Sequence, residues 1–134
     1  MEQIVRKILF PSLISVQDFA YIEEAHGTYE MLKLIEVVLR YTLRESDYGI
    51  LESEMKAMTA ILELYRYRFG NFQYTLQYDE AYKLFEIQRF SLLNALMDEL
   101  QQLVDEVSNY QQLCIRIKFD PKTQSFYINP IKEQ

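Results

Sequence analysis

The chain has 134 residues, the usual length of one compact domain or of two small domains packed together, which excludes a large multidomain enzyme. Hydrophobic residues make up 49% of it, with only three glycines and three prolines, so it has the material for a core and few residues that break helices. The formal charge of −6 and the lack of any run of Lys or Arg argue against binding to nucleic acid or to anionic membranes, and indicate protein partners.

The sequence also argues against membrane insertion and against a zinc site. No apolar stretch approaches the ~20 residues needed to span a bilayer, and Glu2, Arg6 and Lys7 interrupt the apolar residues at the N-terminus. The single cysteine, Cys114, cannot form an internal disulfide, and one cysteine with one histidine is too few ligands for structural zinc. We therefore expect a cytoplasmic protein.

Apolar residues at helical spacing predict two helices at the N-terminus. The first runs from Ile4 to Ala25 and is expected either to kink at Pro11 or to begin there. Gly27 is then expected to stop this helix, and Thr28 to cap a second helix that spans residues 29–44. A turn this short predicts that the two helices are antiparallel.

The second predicted helix carries apolar residues on more than one face. A lone hairpin of this size cannot shield two apolar faces, so we expect it to pair with a second copy in a four-helix bundle. The expected dimer contacts are Ile8, Leu34, Ile35 and Val38. The alternative is that the rest of the chain covers these faces.

The rest of the chain alternates between helical and strand patterns. A helix is predicted from Leu51 to Phe69, a strand at residues 72–78, and a helix at residues 90–107 with Met97 facing inward. Two further alternating runs flank a turn at residues 120–123 and predict a β-hairpin. The predicted fold class is α+β, with an N-terminal antiparallel helix hairpin followed by an α/β layer of three strands and two helices.

Two segments carry a resemblance to a known family. Residues 39–44 read L-R-Y-T-L-R, and residues 63–70 read E-L-Y-R-Y-R-F-G. They resemble the LytS/YesM type of sensor histidine kinase, in which an L-R-Y-S-L segment precedes a helix ending in Y-L-E-I-x-K-x-R-F-G and then the first strand of a GHKL-type ATPase domain. The spacing agrees without a gap as far as Asp79.

The resemblance implies a domain organisation. Residues 1–46 would be the dimerisation hairpin, and residues 50–134 a truncated, degenerate ATPase-like α/β domain. The sharpest matches would form the junction between the two: Arg40, Tyr41, Arg68 and Phe69. Under the alternative, each arginine only offsets the negative end of a helix dipole.

The family's phosphate-accepting histidine is not present at its place. Where the family has N-P-H-F-L-x-N, this chain has F-P-S-L-I-S-V, which keeps Pro11 and puts Ser12 at the acceptor position. His26 is the chain's single histidine and is expected to be an exposed residue at the turn.

The parts of the family that bind ATP are also replaced. The N-box, with its Glu and its metal-binding Asn, corresponds to Met97 and Asp98, or to Asp98 and Glu99 after a slip of one residue. The family uses glycine-rich boxes around the nucleotide, yet no glycine follows Gly70, and residues 127–131 stand at the adenine box. We therefore expect no ATP binding, no autophosphorylation, no cofactor and no metal.

Three functions fit this combination. The first, which we expect, is a non-catalytic protein that acts by contact with a sensor kinase or a response regulator and forms a homodimer. The second is a fragment of a sensor kinase, or a divergent phosphotransfer protein that uses His26 or another acceptor. The third is a structural oligomerisation module with no heterologous partner.

Overall fold

The computed structural model describes residues 2–68, 72–105 and 112–133. Within this part the chain is α+β, as the sequence predicted, with four main helices and two small sheets of two and three strands. It divides into two compact units, Met1–Glu45 and Ser46–Gln134.

The first unit is helical. A short helix α1 (Glu2–Ile4) continues through a wider π-helical turn (Val5–Leu9) into α2 (Phe10–Ile22), and α3 spans His26–Thr42. Proline has no N–H, and its ring crowds the carbonyl four residues earlier, so a wider turn just before Pro11 accommodates it. The helical path therefore continues through Pro11 instead of beginning there.

The turn between α2 and α3 is made at Glu24, and the prediction that Gly27 stops the first helix is wrong. Glu24 has a φ of 58°, in the left-handed region. The N–H groups of Glu24 and Ala25 donate to the carbonyls of Tyr21 and Ala20, at 3.1 and 2.9 Å, which is the pairing of a Schellman cap. Gly27 and the residue after it lie in the first turn of α3.

Two separate substitutions, one at Glu24 and one at Gly27, should each stabilise the protein. A side chain in the left-handed conformation costs about 1–2 kcal/mol, which glycine avoids, so Glu24→Gly should add up to about 1 kcal/mol. Gly27→Ala should add about 0.5–1 kcal/mol, because a Cβ there meets open space and alanine favours the helix. Urea denaturation followed by circular dichroism measures both changes. A clear loss of stability in Gly27→Ala would mean that Gly27 is the helix stop after all.

Helices α2 and α3 contact each other through polar and aromatic side chains. The Gln17 side chain is nearly buried, and its Nε2 donates to the carbonyl of Leu32 at 3.2 Å and to the carboxylate of Glu36 at 3.1 Å. Further along, the Arg40 guanidinium lies over the Phe10 ring, 4.9 Å from its centre. Early residues of α2 thus meet late residues of α3.

The second unit alternates strands and helices. Its elements, in chain order, are β1 (Tyr48–Ile50), α4 (Leu51–Arg68), β2 (Gln73–Gln77), a 3-10 turn (Glu80–Tyr82), β3 (Glu86–Gln88), α5 (Ser91–Asp105), β4 (Gln112–Asp120) and β5 (Ser125–Glu133). Strands β1 and β3 pair antiparallel, whereas β4 lies between β2, which is parallel to it, and β5, which is antiparallel. The β4–β5 pair is the predicted β-hairpin.

The sequence analysis predicted three strands in this unit and missed β1 and β3. Each is only three residues long, too short to show the alternation that identifies a strand. At the centre of the two strands, Gly49 pairs with Ile87. The ends of two predicted helices, at Phe69 and Val107, lie outside the described residues.

The core of the second unit is apolar. Its largest fully buried apolar side chains come from α4, α5 and β4, and they are Leu51, Met58, Leu62, Leu92, Leu96, Leu100, Leu113 and Ile115; the carboxylate of Glu54 is buried among the residues of α4. Met97, predicted to face inward, is 42% exposed. The prediction is wrong because Leu96 and Leu100, four residues apart, already define the buried stripe of α5.

Candidate functional site

The first unit exposes much of its apolar surface. Its described side chains include only three that are buried: Gln17, Ala20 and Tyr41. Six large apolar residues of α2 and the turn before it are 47–74% exposed: Ile8, Leu9, Val16, Phe19, Tyr21 and Ile22. Ile8 is one of the predicted dimer contacts, while Leu34, Ile35 and Val38 on α3 are half-buried. An apolar surface of this kind is typical of an interaction site.

Ser12, which the resemblance aligns with the family's acceptor, lies on the exposed side of α2. The hydroxyl of Ser12 donates to the carbonyl of Ile8 at 2.6 Å, and Ser15 donates in the same way to Pro11 at 3.2 Å. Both hydroxyls are thus engaged by their own helix. His26 is exposed, at the first residue of α3.

Arg40, in the first family-like segment, is held by side chains of its own unit. Its Nε and Nη2 lie 2.9 and 2.8 Å from the carboxylate of Glu36, and its guanidinium covers the Phe10 ring. Burial raises the pKa of Glu36, but the hydrogen bond from Gln17 and the charge of Arg40 more than offset this, so that the pKa is lowered. Arg40 therefore has a structural role in the first unit, whether or not it also serves a junction.

Tyr41, the next residue of that segment, is buried. The guanidinium of Arg44 lies over its ring, 5.7 Å from the centre. The Arg6 side chain donates to the carbonyl of Leu43, just beyond α3. The positive guanidinium of Arg6 thus binds a carbonyl at the C-terminal end of α3, where it offsets the negative end of the helix dipole. The sequence predicted this role for Arg40 and Arg68 instead.

The second family-like segment is joined to the three-stranded sheet. The phenol of Tyr74 in β2 donates to the carboxylate of Glu63 in α4 at 2.5 Å, and Arg66 binds the same carboxylate at 2.7 Å. Arg68 lies over the Tyr65 ring, 5.6 Å from its centre. Phe69, the remaining junction residue, lies outside the described residues, so the predicted junction stays a prediction.

A buried carboxylate holds the start of α5. Glu54 in α4 is fully buried, and it accepts hydrogen bonds from the backbone N–H groups of Phe90, Leu92 and Leu93 at 2.6, 2.7 and 3.2 Å. These are N–H groups at the beginning of a helix, which have no partner within the helix itself. Glu54 is therefore both a cap and a negative charge at the positive end of the α5 dipole.

The residues just before α5 fix the backbone in an unusual conformation. Phe90 has a φ of 72°, which a bulky side chain rarely adopts. Arg89 is nearly buried, and it donates to the carbonyl of Ser46 through its side chain and to that of Asp47 through its N–H, at 2.9 Å for the latter. Its guanidinium also lies over the Phe90 ring. These bonds, with those to Glu54, hold the strained residue in place.

A family model described as histidine kinase matches residues 1–73. The match covers 73 of the 134 residues and includes α2, α3 and α4. This chain belongs to the histidine kinase family. No curated protein matches it.

The residues that the sequence analysis aligned with the family's N-box lie on α5. Met97 and Asp98 are exposed and Glu99 is half-buried. Successive helical residues point about 100° apart, so the three side chains do not converge on one point. Over the part of the chain that the structure describes, no group of three His, Cys, Asp or Glu side chains could hold a metal ion. No helix in that same part is long and apolar enough to cross a membrane.

Sequence reasoning missed the most constrained polar residue of this family member, Glu54. The sequence contains only a weak signal for this residue. Leu51, Met55 and Met58 define the buried stripe of α4, and Glu54 lies on the same stripe, where a charged side chain needs a partner. That partner is the backbone about Phe90, 36 residues further along the chain, which no local pattern reveals.

The Glu63 carboxylate should make the stability of this kinase-family chain sensitive to acid. Burial raises its pKa, but the hydrogen bond from Tyr74 and the charge of Arg66 lower it to below the ordinary value of 4.5. The stabilisation is therefore complete above that pH and is lost as the pH falls through the lowered pKa. Glu36 acts with the same sign in the first unit.

We expect Tyr74→Phe to lower the free energy of unfolding by about 1–2 kcal/mol near neutral pH and to weaken the acid dependence, because it removes the hydrogen bond to the Glu63 carboxylate. Urea denaturation, repeated from neutral pH to below the ordinary glutamate pKa, measures both effects. Tyr67→Phe is the matched control, since Tyr67 is partly exposed on the same helix as Glu63. An unchanged pH profile in Tyr74→Phe would contradict this role of the phenol.

Proposed function

We propose that this chain is a non-catalytic member of the histidine kinase family that acts by protein contact in two-component-type signalling. The observation that carries the proposal is at Ser12. Ser12 lies inside the region that matches the family, at the place where the resemblance puts the acceptor, and its hydroxyl is bonded to the carbonyl of Ile8. A hydroxyl does not provide the imidazole nitrogen that accepts the phosphoryl group in histidine kinases.

The proposal includes a degenerate ATPase-like domain at residues 50–134. Support comes from the exposed Met97 and Asp98 at the N-box position, where the Asn that would hold the metal is replaced. The sequence after Gly70 also contains no glycine to let a backbone approach the phosphates. Phosphoryl transfer depends on positioned charge around the phosphates, so these changes together remove its components.

Residues 1–46 would serve as a dimerisation hairpin that forms a four-helix bundle with a second copy. The exposed apolar surface of α2 and α3 supports this, because the unit buries few side chains on its own. With the interface predicted from the sequence, Val38→Glu should give monomers or unfolded protein. The heterologous partner would be a sensor kinase or a response regulator in the cytoplasm, and Arg40, Tyr41, Arg68 and Phe69 would form the junction.

We expect no measurable binding of Mg-ATP, because the metal ligand and the glycine-rich loops are both missing from the sequence. Isothermal titration calorimetry of the full chain is the direct test. A known histidine kinase, titrated under the same conditions, is the positive control. Micromolar binding would overturn the degenerate-domain proposal.

The second candidate function, phosphotransfer through His26, rests on the exposure of that side chain at the start of α3. Incubation with a labelled phospho-kinase or a labelled phospho-regulator separates the two functions. Under our proposal no label passes to the chain, and a kinase or regulator is bound without transfer. Transfer that is lost in His26→Ala would establish the alternative. Dimerisation with no kinase or regulator bound would leave the third function, the oligomerisation module.

A further inference from the structure

We propose that β2 binds an extended segment of a partner protein, in which apolar residues alternate with acidic residues. The segment would extend the three-stranded sheet by one strand. The proposal rests on the proposed action by protein contact, and it names the surface and the chemistry of the partner. We call the side of Gln73–Gln77 that faces away from β4 the β2 edge.

The β2 edge carries backbone groups that can pair with another strand. Within the residues that the structure describes, the strands lie in the order β2, β4, β5, so β2 has β4 on one side only. A strand at the edge of a sheet presents a row of N–H and C=O groups on its open side. These groups are matched by an extended chain laid beside them, which is the strand-addition mode of peptide recognition.

The two edges of the sheet differ in how they are protected. Natural edge strands commonly carry proline or charged side chains, which hinder pairing with another chain. β5 contains Pro130, opposite Ile115 of β4, and a proline in a strand takes a position where its missing N–H would face the open side. β2 reads Q-Y-T-L-Q, with neither proline nor charge. Strand addition is therefore hindered at β5 and unobstructed at β2.

The inner face of β2 is only partly covered. Tyr74 and Leu76 lie opposite Leu113 and Ile115 of β4, and the Tyr74 phenol reaches Glu63 of α4, so this is the face toward the helix. The two β4 residues are fully buried, whereas the two β2 residues are half-buried. Apolar side chains of an added strand would cover them further. The partner segment is therefore expected to have an apolar residue at every second position.

The outer face of the sheet determines the charge of the partner. Gln77 of β2 lies opposite Arg116 of β4, and both Arg116 and Lys118 are exposed on this face. The carboxylate of Asp120, further along β4, accepts a hydrogen bond from the N–H of Lys122. An added strand would lie about 10 Å from β4, twice the strand spacing, a distance that an arginine and a glutamate side chain bridge together. Acidic residues at the alternate positions would thus meet positive charge.

A second copy of this chain is not the expected occupant of the β2 edge. The proposed dimer through residues 1–46 already joins two copies by a symmetric contact. A second symmetric contact, between the β2 strands of two copies, would link the dimers into open chains. β2 also contains no acidic residue that could pair with Arg116.

A synthetic peptide of alternating valine and glutamate tests the β2 edge. The labelled peptide should bind the full chain, as measured by fluorescence anisotropy at low salt, and should slow the deuterium exchange of the Gln73–Gln77 amides. Methylation of the peptide's amide nitrogens should abolish binding, because strand addition needs their protons. The proposal is overturned by an absence of binding, by equal binding of the methylated peptide, or by slower exchange in β5 and not in β2.

Charge reversal tests the chemistry of the segment. Arg116→Glu should weaken binding of the valine–glutamate peptide several-fold and strengthen binding of a valine–lysine peptide. Lys122→Glu makes the same change of charge in the exposed turn between β4 and β5, and it should leave both affinities unchanged. Equal effects of the two substitutions would mean that only the net charge matters, and would overturn the preference for an acidic segment at this face.

Competition separates this proposal from the proposed function. Under both, excess valine–glutamate peptide should displace a bound kinase or regulator from the chain. A kinase or regulator that binds equally well in the presence of the peptide would overturn the β2 edge as the partner's site and leave action by protein contact standing. If the peptide binds at β2 but neither a kinase nor a regulator binds at all, the proposed function is wrong and the strand-addition site stands.

Discussion

Replacing Glu54 with alanine should lower the free energy of unfolding by about 3–5 kcal/mol, the largest effect we expect from a polar residue. The substitution leaves the N–H groups of Phe90, Leu92 and Leu93 without their acceptor in a place that water does not reach freely. It also removes the negative charge at the start of α5 and releases the positive φ of Phe90. Urea denaturation of the full chain measures the loss.

Two further variants show how much of the loss in stability comes from the Glu54 charge and how much from its side-chain volume. Glu54→Gln keeps the shape but replaces one acceptor oxygen with a donor, so we expect a loss of about 2–3 kcal/mol. Glu52→Ala on the same helix removes an ion pair with Lys56 at 3.3 Å, partly exposed, and should change stability by less than about 1 kcal/mol. If Glu54→Ala were no more destabilising than Glu52→Ala, the bonds from α5 would not be formed in solution.

The elements that sequence reasoning predicted are those with a long local pattern. Helix α5 and the β4–β5 hairpin extend over enough residues to show their period, and β4 buries Leu113, Ile115 and Ile117 in alternation as expected. Strands β1 and β3 show no period in three residues each. They form because Arg89 and Glu54 hold neighbouring segments together across the chain.

The turn at Glu24 could not be read from residue types. Glycine is the usual residue at a helix stop, and Gly27 was only three positions away. The choice between them depends on which carbonyls the turn can satisfy, and the bonds to Ala20 and Tyr21 decide it in favour of Glu24. The hydrogen bonds of the turn therefore outweigh the general preference for glycine at a helix end, and the sequence pattern does not reveal these bonds.

The candidate site, too, was only partly predictable from the sequence. The family-like segments were recognised from the sequence, but the partners of their side chains were not. Glu63 and Arg66 meet Tyr74, and Arg40 meets Glu36 and Phe10. These contacts give each of these residues a structural reason within its own unit. The resemblance alone therefore does not separate a signalling role from a packing role.

Two neighbouring residues of α5 should differ sharply when truncated. Leu96 is fully buried, so Leu96→Ala removes packed methyl groups and leaves a cavity, which should cost about 3–5 kcal/mol. Met97 is 42% exposed, so Met97→Ala should cost less than about 1 kcal/mol. Chemical denaturation of the two variants under identical conditions gives the difference directly.

The comparison also tests the face of α5 that carries Met97, which the resemblance aligns with the N-box. If Met97 faces solvent, then this position is open to a partner protein and not part of the core, which agrees with action by contact. Leu100→Ala, at a fully buried site one turn beyond Leu96, should behave like Leu96→Ala. Equal losses from Met97→Ala and Leu96→Ala would mean that α5 is rotated about its axis, and the N-box position would then be buried within the unit.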